Sequence, residues 1–245
     1  MSGKTFRLRR IFKSDGRTVV VALDHGQFQG PICGIMDICD TIKRVVAGRP
    51  DAVILNPGVF SKFCDIIPPE IGVILRITGA STNYTPRFDF HRLTTSVEHA
   101  VRLGADAVIV MCFIGGMGEA PSLEIVGRVA EECDKLGMPL FVEVIAQGSE
   151  RLPDVGYIEV GARAAFELGA DVLKVYYVGK EAFRMITSSV PIPVLIAGGP
   201  KESDTLSLVS DALELGARGV AFGRNVFQAE NITEYVQELM SIVHG

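Results

Sequence analysis

The phrase Leu-Gly-Ala followed by Asp or Arg stands at three places in this chain: Leu103-Gly104-Ala105-Asp106, Leu168-Gly169-Ala170-Asp171 and Leu215-Gly216-Ala217-Arg218. Each copy follows a stretch of helical periodicity and precedes a run of aliphatic residues. Glycine just past a helical stretch stops the helix in the left-handed conformation. With a strand opening two or three residues later, the phrase is the helix-to-strand joint of a βα unit, and the count of such units defines the architecture. Strands are expected at Thr18–Leu23, Ala52–Asn56, Val73–Ile77, Ala107–Met111, Pro139–Ile145, Val172–Tyr177, Val194–Ala197 and Gly219–Phe222. Helical patterns lie near Ile35–Ala47, Phe60–Ile66, Phe90–Leu103, Leu123–Leu136, Ile158–Leu168, Glu181–Ser188, Thr205–Leu215 and Asn231–Val243.

Strands that each precede a helix predict one α/β domain over residues 1–245, a (β/α)8 TIM barrel, with 1–17 as a lead-in. The length of 245 residues and the 48% apolar content suit a single barrel with a full core. A doubly wound sheet is the alternative, but Asp24-His25-Gly26-Gln27 after the first strand is no dinucleotide loop. The net charge of -5, with mixed signs along the chain, argues against a nucleic-acid surface. The basic cluster Arg7 to Arg17 has no apolar run behind it, so it reads as a segment packed outside the fold rather than a signal peptide, and no run is long enough for a membrane. Five widely spaced cysteines without a CxxC fit a reduced, cytoplasmic protein. The histidines His25, His91, His99 and His244 form no metal-binding pattern, so no metal is expected.

In the sixth strand, Lys174 sits between Leu173 and Val175. Alternation puts Val172, Lys174 and Tyr176 on one face, and a strand apolar on both faces belongs to a covered parallel sheet. Burial disfavours an ammonium, and a neutral amine attacks a carbonyl to form a Schiff base. The structural alternative is a lysine that reaches the sheet end and pairs with a carboxylate.

A barrel holds its chemistry at the C-terminal strand ends. There Asp24 follows strand one, placed to hold Lys174 or move protons, or simply to cap its loop. Glu143 lies among apolar neighbours in strand five; facing inward, it is either a general acid/base or half of an ion pair with a lysine. Tyr176 is placed above Lys174 on the inner wall, as a proton donor or a lining residue. Gly198 and Gly199 after strand seven, with Gly223 and Arg224 after strand eight, occupy the usual phosphate position of this fold; the alternative is a tight turn. Asp51, Asp106 and Asp171 fall at the opposite strand ends and read as caps.

Taken in order, Leu23-Asp24-His25-Gly26, Gln29-Gly30-Pro31, Thr78-Gly79, Phe113-Ile114-Gly115-Gly116, Lys174-Val175-Tyr176-Tyr177, Ala197-Gly198-Gly199-Pro200-Lys201 and Gly223-Arg224-Asn225-Val226-Phe227-Gln228 resemble a known family. It is the class I, Schiff-base aldolases of the archaeal fructose-bisphosphate aldolase type. That group includes 2-amino-3,7-dideoxy-D-threo-hept-6-ulosonate synthase and the thiolase that processes phosphorylated autoinducer-2 breakdown products. The resemblance implies that Lys174 is the Schiff-base lysine, Asp24 its acid/base partner and the two glycine loops the phosphate site. One departure stands out. The family's aldolases carry Tyr-Pro-Arg-Gly at the end of strand five, where this chain has Ile145-Ala146-Gln147-Gly148. The thiolase branch also lacks that tyrosine, and it shares Phe28-Gln29-Gly30-Pro31 and the Tyr176-Tyr177 pair.

Three functions follow as expectations. The first is an aldolase-type lyase acting on a phosphorylated ketose or dihydroxyacetone phosphate, with no cofactor, Lys174 as electron sink and Asp24, Tyr176 or Glu143 moving protons. The second is a transferase passing an acyl group from a phosphorylated diketone to coenzyme A as co-substrate. The third is a catalytically silent phosphosugar-binding protein. The partner in each is a small phosphorylated molecule, and the resemblance implies a homo-oligomer, commonly a decamer.

Overall fold

The computed structural model describes residues 2–147, 155–198 and 205–245. The barrel is closed by eight parallel strands: β1 (Thr18–Ala22), β2 (Ala52–Leu55), β3 (Gly72–Arg76), β4 (Ala107–Ile114), β5 (Leu140–Ala146), β6 (Val172–Tyr176), β7 (Val194–Ala197) and β8 (Gly219–Phe222). Each strand pairs with its neighbour in sequence, and β8 returns to β1 through the register Thr18↔Gly219 to Val21↔Phe222. All eight lie where the sequence places them.

The repeated joints close their helices by one mechanism. Gly104, Gly169 and Gly216 all have positive φ, at 88°, 104° and 99°. The alanine after each glycine donates its N–H back into the last helical turn, Ala105 to Ala100, Ala170 to Ala165 and Ala217 to Ala212. This is the six-to-one bond of a Schellman stop, which requires the left-handed residue between. The next residue then joins the barrel: the N–H groups of Asp106, Asp171 and Arg218 donate to Val73, Leu140 and Val194.

Alternation sorts the strand side chains into two cores. Val20, Ala22, Ala52, Ile54, Ile74, Ala107, Ile109, Phe141, Val172, Leu195 and Ala221 fill the barrel. Val19, Val21, Val53, Leu75, Val108, Val142, Leu173 and Ile196 face the helix layer. The lead-in contributes a helix, Ser2–Ile11, that lies across the N-terminal end of the barrel and adds the fully buried Ile11 to the inner core. Burying an isoleucine this way stabilises by about 1.5–3 kcal/mol. The basic residues of the lead-in are thereby explained. Lys4 pairs with Asp171 at 2.9 Å, Arg10 with Asp106 at 2.5 Å and Lys13 with Asp51 at 3.3 Å. The same aspartates accept strand N–H groups from Leu140, Val73 and Val19, so they are the structural groups expected.

One helix is shorter than expected. Residues 90–103 were to be helical, but Arg92–Leu93 pairs antiparallel with Thr78–Gly79 as a two-stranded ribbon, and the helix spans only Val97–Leu103. Ser96 explains the later start, since its side chain caps the helix by accepting the His99 N–H at 3.1 Å. The ribbon carries the segment between its strands over the C-terminal mouth of the barrel. There Phe88 meets Phe28 and Phe113, with ring centroids 5.4 and 6.1 Å apart. Among the described residues, no helix is long and apolar enough to cross a membrane.

Candidate active site

The mouth is built on a row of charged side chains one layer above the apolar filling of the barrel. Glu143 and Lys174 are direct partners across β5 and β6, so both point inward, as expected of each. Lys174 Nζ lies 2.7 Å from Glu143 Oε1. The other carboxylate oxygen of Glu143 accepts from Arg76, whose Nε donates to Asp24 Oδ2 at 2.7 Å. Beyond Asp24 lies His25, with Nδ1 3.5 Å from Asp24 Oδ1. The result is a chain, Lys174–Glu143–Arg76–Asp24–His25, across the inside of the barrel. Four of its members are almost sealed from solvent: Asp24 and Arg76 are 1% exposed, Lys174 5% and Glu143 7%.

Charges so deep persist only when paired. Burial opposes ionisation of Asp24, but Arg76, His25 and Lys174 outweigh it and hold the carboxyl at about 2, against an ordinary 3.8. For Glu143 burial again opposes the charge, and the cations of Lys174 and Arg76 overcome it, so its pKa falls below the ordinary value. Both carboxylates are therefore anions at neutral pH.

One of the roles offered for Asp24 is corrected here: it does not hold Lys174 but is bonded to Arg76, and Glu143 holds the lysine. Arg76, the centre of the chain, was missed. Its signal resembles that of Lys174: one cation in an otherwise aliphatic strand, Gly72-Val73-Ile74-Leu75-Arg76.

Tyr176 lies beyond Lys174 at the end of β6, half-buried, with its phenol pushed up by burial and the charge of Glu143, against the opposing pull of Arg224. Ile145 comes to the rim of β5, where its direct partner on β4 is Phe113. Gly198 and Gly223 stand at the ends of β7 and β8, and Gly199 lies outside the described residues. Neither described glycine needs a positive φ. Both are small because side chains press on them: a Cβ on Gly198 would overlap Asn225 Oδ1, and one on Gly223 would overlap the His25 ring. Arg224 opens a short helix, Arg224–Phe227, with its side chain in solvent. Asn225, on the same helix, is buried, and its Oδ1 has no partner among the described residues.

A buried lysine with a carboxylate at hydrogen-bond distance, at the C-terminal mouth of a (β/α)8 barrel, is the geometry of an amine that exchanges protons while it attacks a carbonyl. Residues 18–229 match the DeoC/LacD family aldolase profile. The chain belongs to the DeoC/LacD aldolase family. Among its relatives is 2-amino-3,7-dideoxy-D-threo-hept-6-ulosonate synthase 1 of Archaeoglobus fulgidus, 39% identical over 247 residues that span 100% of this chain and 92% of the relative. The 3-hydroxy-5-phosphonooxypentane-2,4-dione thiolase of Escherichia coli K12 is 33% identical, over 99% of this chain and 82% of the relative. Among solved structures, an archaeal fructose-1,6-bisphosphate aldolase whose catalytic lysine carries the carbinolamine intermediate is 30% identical, with a TM-score of 0.86 over 99% of this chain and 100% of that one. The family thus contains both aldol and thiolase chemistry on one barrel.

Proposed function

We propose that this chain is a class I aldolase that cleaves or forms a carbon–carbon bond in a phosphorylated ketose, with dihydroxyacetone phosphate as the ketone partner. The observation that carries the reading is the buried pair of Lys174 and Glu143 at 2.7 Å. Lys174 Nζ gives a proton to Glu143 and attacks the substrate carbonyl to form a carbinolamine. Glu143 returns the proton to the departing hydroxyl, water leaves, and the iminium remains. That iminium accepts the electron pair of the breaking bond. Arg76 keeps Glu143 in place and Asp24 balances the charge of Arg76, so Asp24 acts on the lysine through its neighbours. Gly198, Gly199, Gly223 and Arg224 are assigned to the substrate phosphate, with Tyr176 on the wall above the lysine.

The 33% identity to a thiolase and the isoleucine at position 145 favour a second reading. In it Lys174 activates a phosphorylated diketone, and coenzyme A takes the acyl group. Borohydride reduction with dihydroxyacetone phosphate, followed by peptide mass mapping, tests the imine. A reduced adduct on Lys174 is expected, and its absence in a protein that binds the compound by calorimetry would sink the aldolase reading. Turnover of phosphorylated ketoses and diketones with and without coenzyme A separates the two reactions.

A further inference from the structure

His91 precedes the second strand of the ribbon and is 2% exposed, yet among the described residues neither of its ring nitrogens has a hydrogen-bond partner. A buried imidazole with nothing to bond costs about 1–3 kcal/mol, and a group left this way is explained when a ligand supplies the missing partner. Among the described residues, aromatic packing fixes the ring. It meets Phe88 and Phe113 edge-on, each with centroids 5.0 Å away. Phe113 lies on the inner wall of β4 beside Ile145, one layer above the level of Glu143 and its β4 partner Met111. His91 is therefore held over the charged row, on the side of β4 and β5.

Within that row Lys174, Glu143 and Asp24 are already engaged. Glu143 is bonded to Lys174 and Arg76, Asp24 is bonded to Arg76, and Ile145 has no proton to move. We infer that His91 contacts the substrate and is the catalytic residue that carries the proton of the carbon–carbon step, while Glu143 serves the imine step. This assignment rests on the aldolase reading above. In cleavage, a ring nitrogen of His91 takes the proton of the substrate hydroxyl on the carbon that becomes the aldehyde. The O–H pair forms the new carbonyl, the carbon–carbon bond breaks, and its electrons move into the iminium to give a neutral enamine. The imidazolium then returns its proton to the enamine carbon, which restores the iminium for hydrolysis, so the proton count closes without another reagent. Charged groups that act on the ring are Arg76, Glu143 and Asp89. Burial and then Arg76 lower its pKa to about 4, so the resting imidazole is neutral.

The test is solvent exchange into dihydroxyacetone phosphate in deuterium oxide, read by proton NMR, with borohydride trapping on the same samples. Wild type is expected to trap on Lys174 and to exchange the enamine-carbon proton. His91→Asn and His91→Phe are expected to trap on Lys174 at the wild-type level but to exchange about 10²–10⁴-fold more slowly. The phenylalanine variant suits the aromatic surroundings and guards against loss of fold. In the unmodified protein, the His91 ring nitrogen shifts are expected to move when the adduct forms. Exchange within threefold of wild type in a folded variant would overturn the assignment, as would static ring shifts. So would variants that melt like wild type but no longer trap, because His91 would then act before the carbon–carbon step. Absence of any wild-type adduct would remove the aldolase reading itself, an outcome distinguished by the missing label on Lys174.

Discussion

Replacing Arg76 with methionine removes the one side chain bonded to both Asp24 and Glu143. The barrel interior then holds two buried carboxylates facing a single lysine, with His25 beside them. The cost can be approached from Asp24 alone. Its pKa stands at about 2 against 3.8, and at about 1.4 kcal/mol per pH unit this is on the order of 2 kcal/mol of stability at neutral pH. That contribution is present above pH 3.8 and is lost as pH falls through about 2. Glu143 also loses a cation, and breaking a buried ion pair typically costs about 3–5 kcal/mol. For a domain of this size each kcal/mol lowers Tm by about 2–4 °C, so Arg76→Met is expected to melt about 6–20 °C below wild type at pH 7. The sign of the pH response is diagnostic. With Arg76 gone, burial dominates and the carboxyl pKa rises above its unfolded value, so the variant gains stability on acidification. Its deficit should therefore shrink between pH 7 and pH 5. Thermal unfolding followed by circular dichroism at both pH values gives the answer. A melting point within about 2 °C of wild type at pH 7, or a deficit equal at both pH values, would refute the charged row as described.

At the other end of the barrel, Asp106→Ala leaves the Val73 N–H and the Arg10 Nε without their acceptor and is expected to destabilise by about 1–3 kcal/mol in urea melts. Trapping on Lys174 should be unchanged in the folded variant, because the site lies at the opposite strand ends. Gly223→Ala drives a methyl group into the His25 ring and should lower Tm and weaken binding of inorganic phosphate at least tenfold by calorimetry. Wild-type affinity would show that the loop after β8 does not hold the anion. Because the proposed electron sink is the Lys174 iminium, activity should survive prolonged dialysis against a chelator, and a loss restored by divalent metal would contradict that chemistry.

The barrel was legible because its signals are local. A glycine stop and an apolar alternation each act within a few residues, and the three Leu-Gly-Ala joints repeat the same bond geometry. The charged row was legible only by halves. A lysine or glutamate inside an aliphatic strand announces that something must neutralise it, which is why Lys174 and Glu143 were found and why Arg76 carried the same signal unread. Partner choice is another matter. Arg76 meets Asp24 across 52 residues and Glu143 across 67, and those pairings exist only when β3 closes between β2 and β4. From the sequence Asp24 could hold Lys174 and Glu143 could pair with a lysine, and strand register chose Glu143. His91 was harder still, since its residue type matched no motif and its segment read as the start of a helix. Its position follows from a two-residue ribbon, Thr78–Gly79 with Arg92–Leu93, whose propensity is too weak to announce itself. A two-residue strand pair is marginal alone; packing of Phe88 and His91 on Phe113 holds it in place. The ring over the mouth and the ribbon that carries it are thus mutually stabilising, and tertiary contact, the part of folding least visible in a window of sequence, sets the reach of His91 into the site.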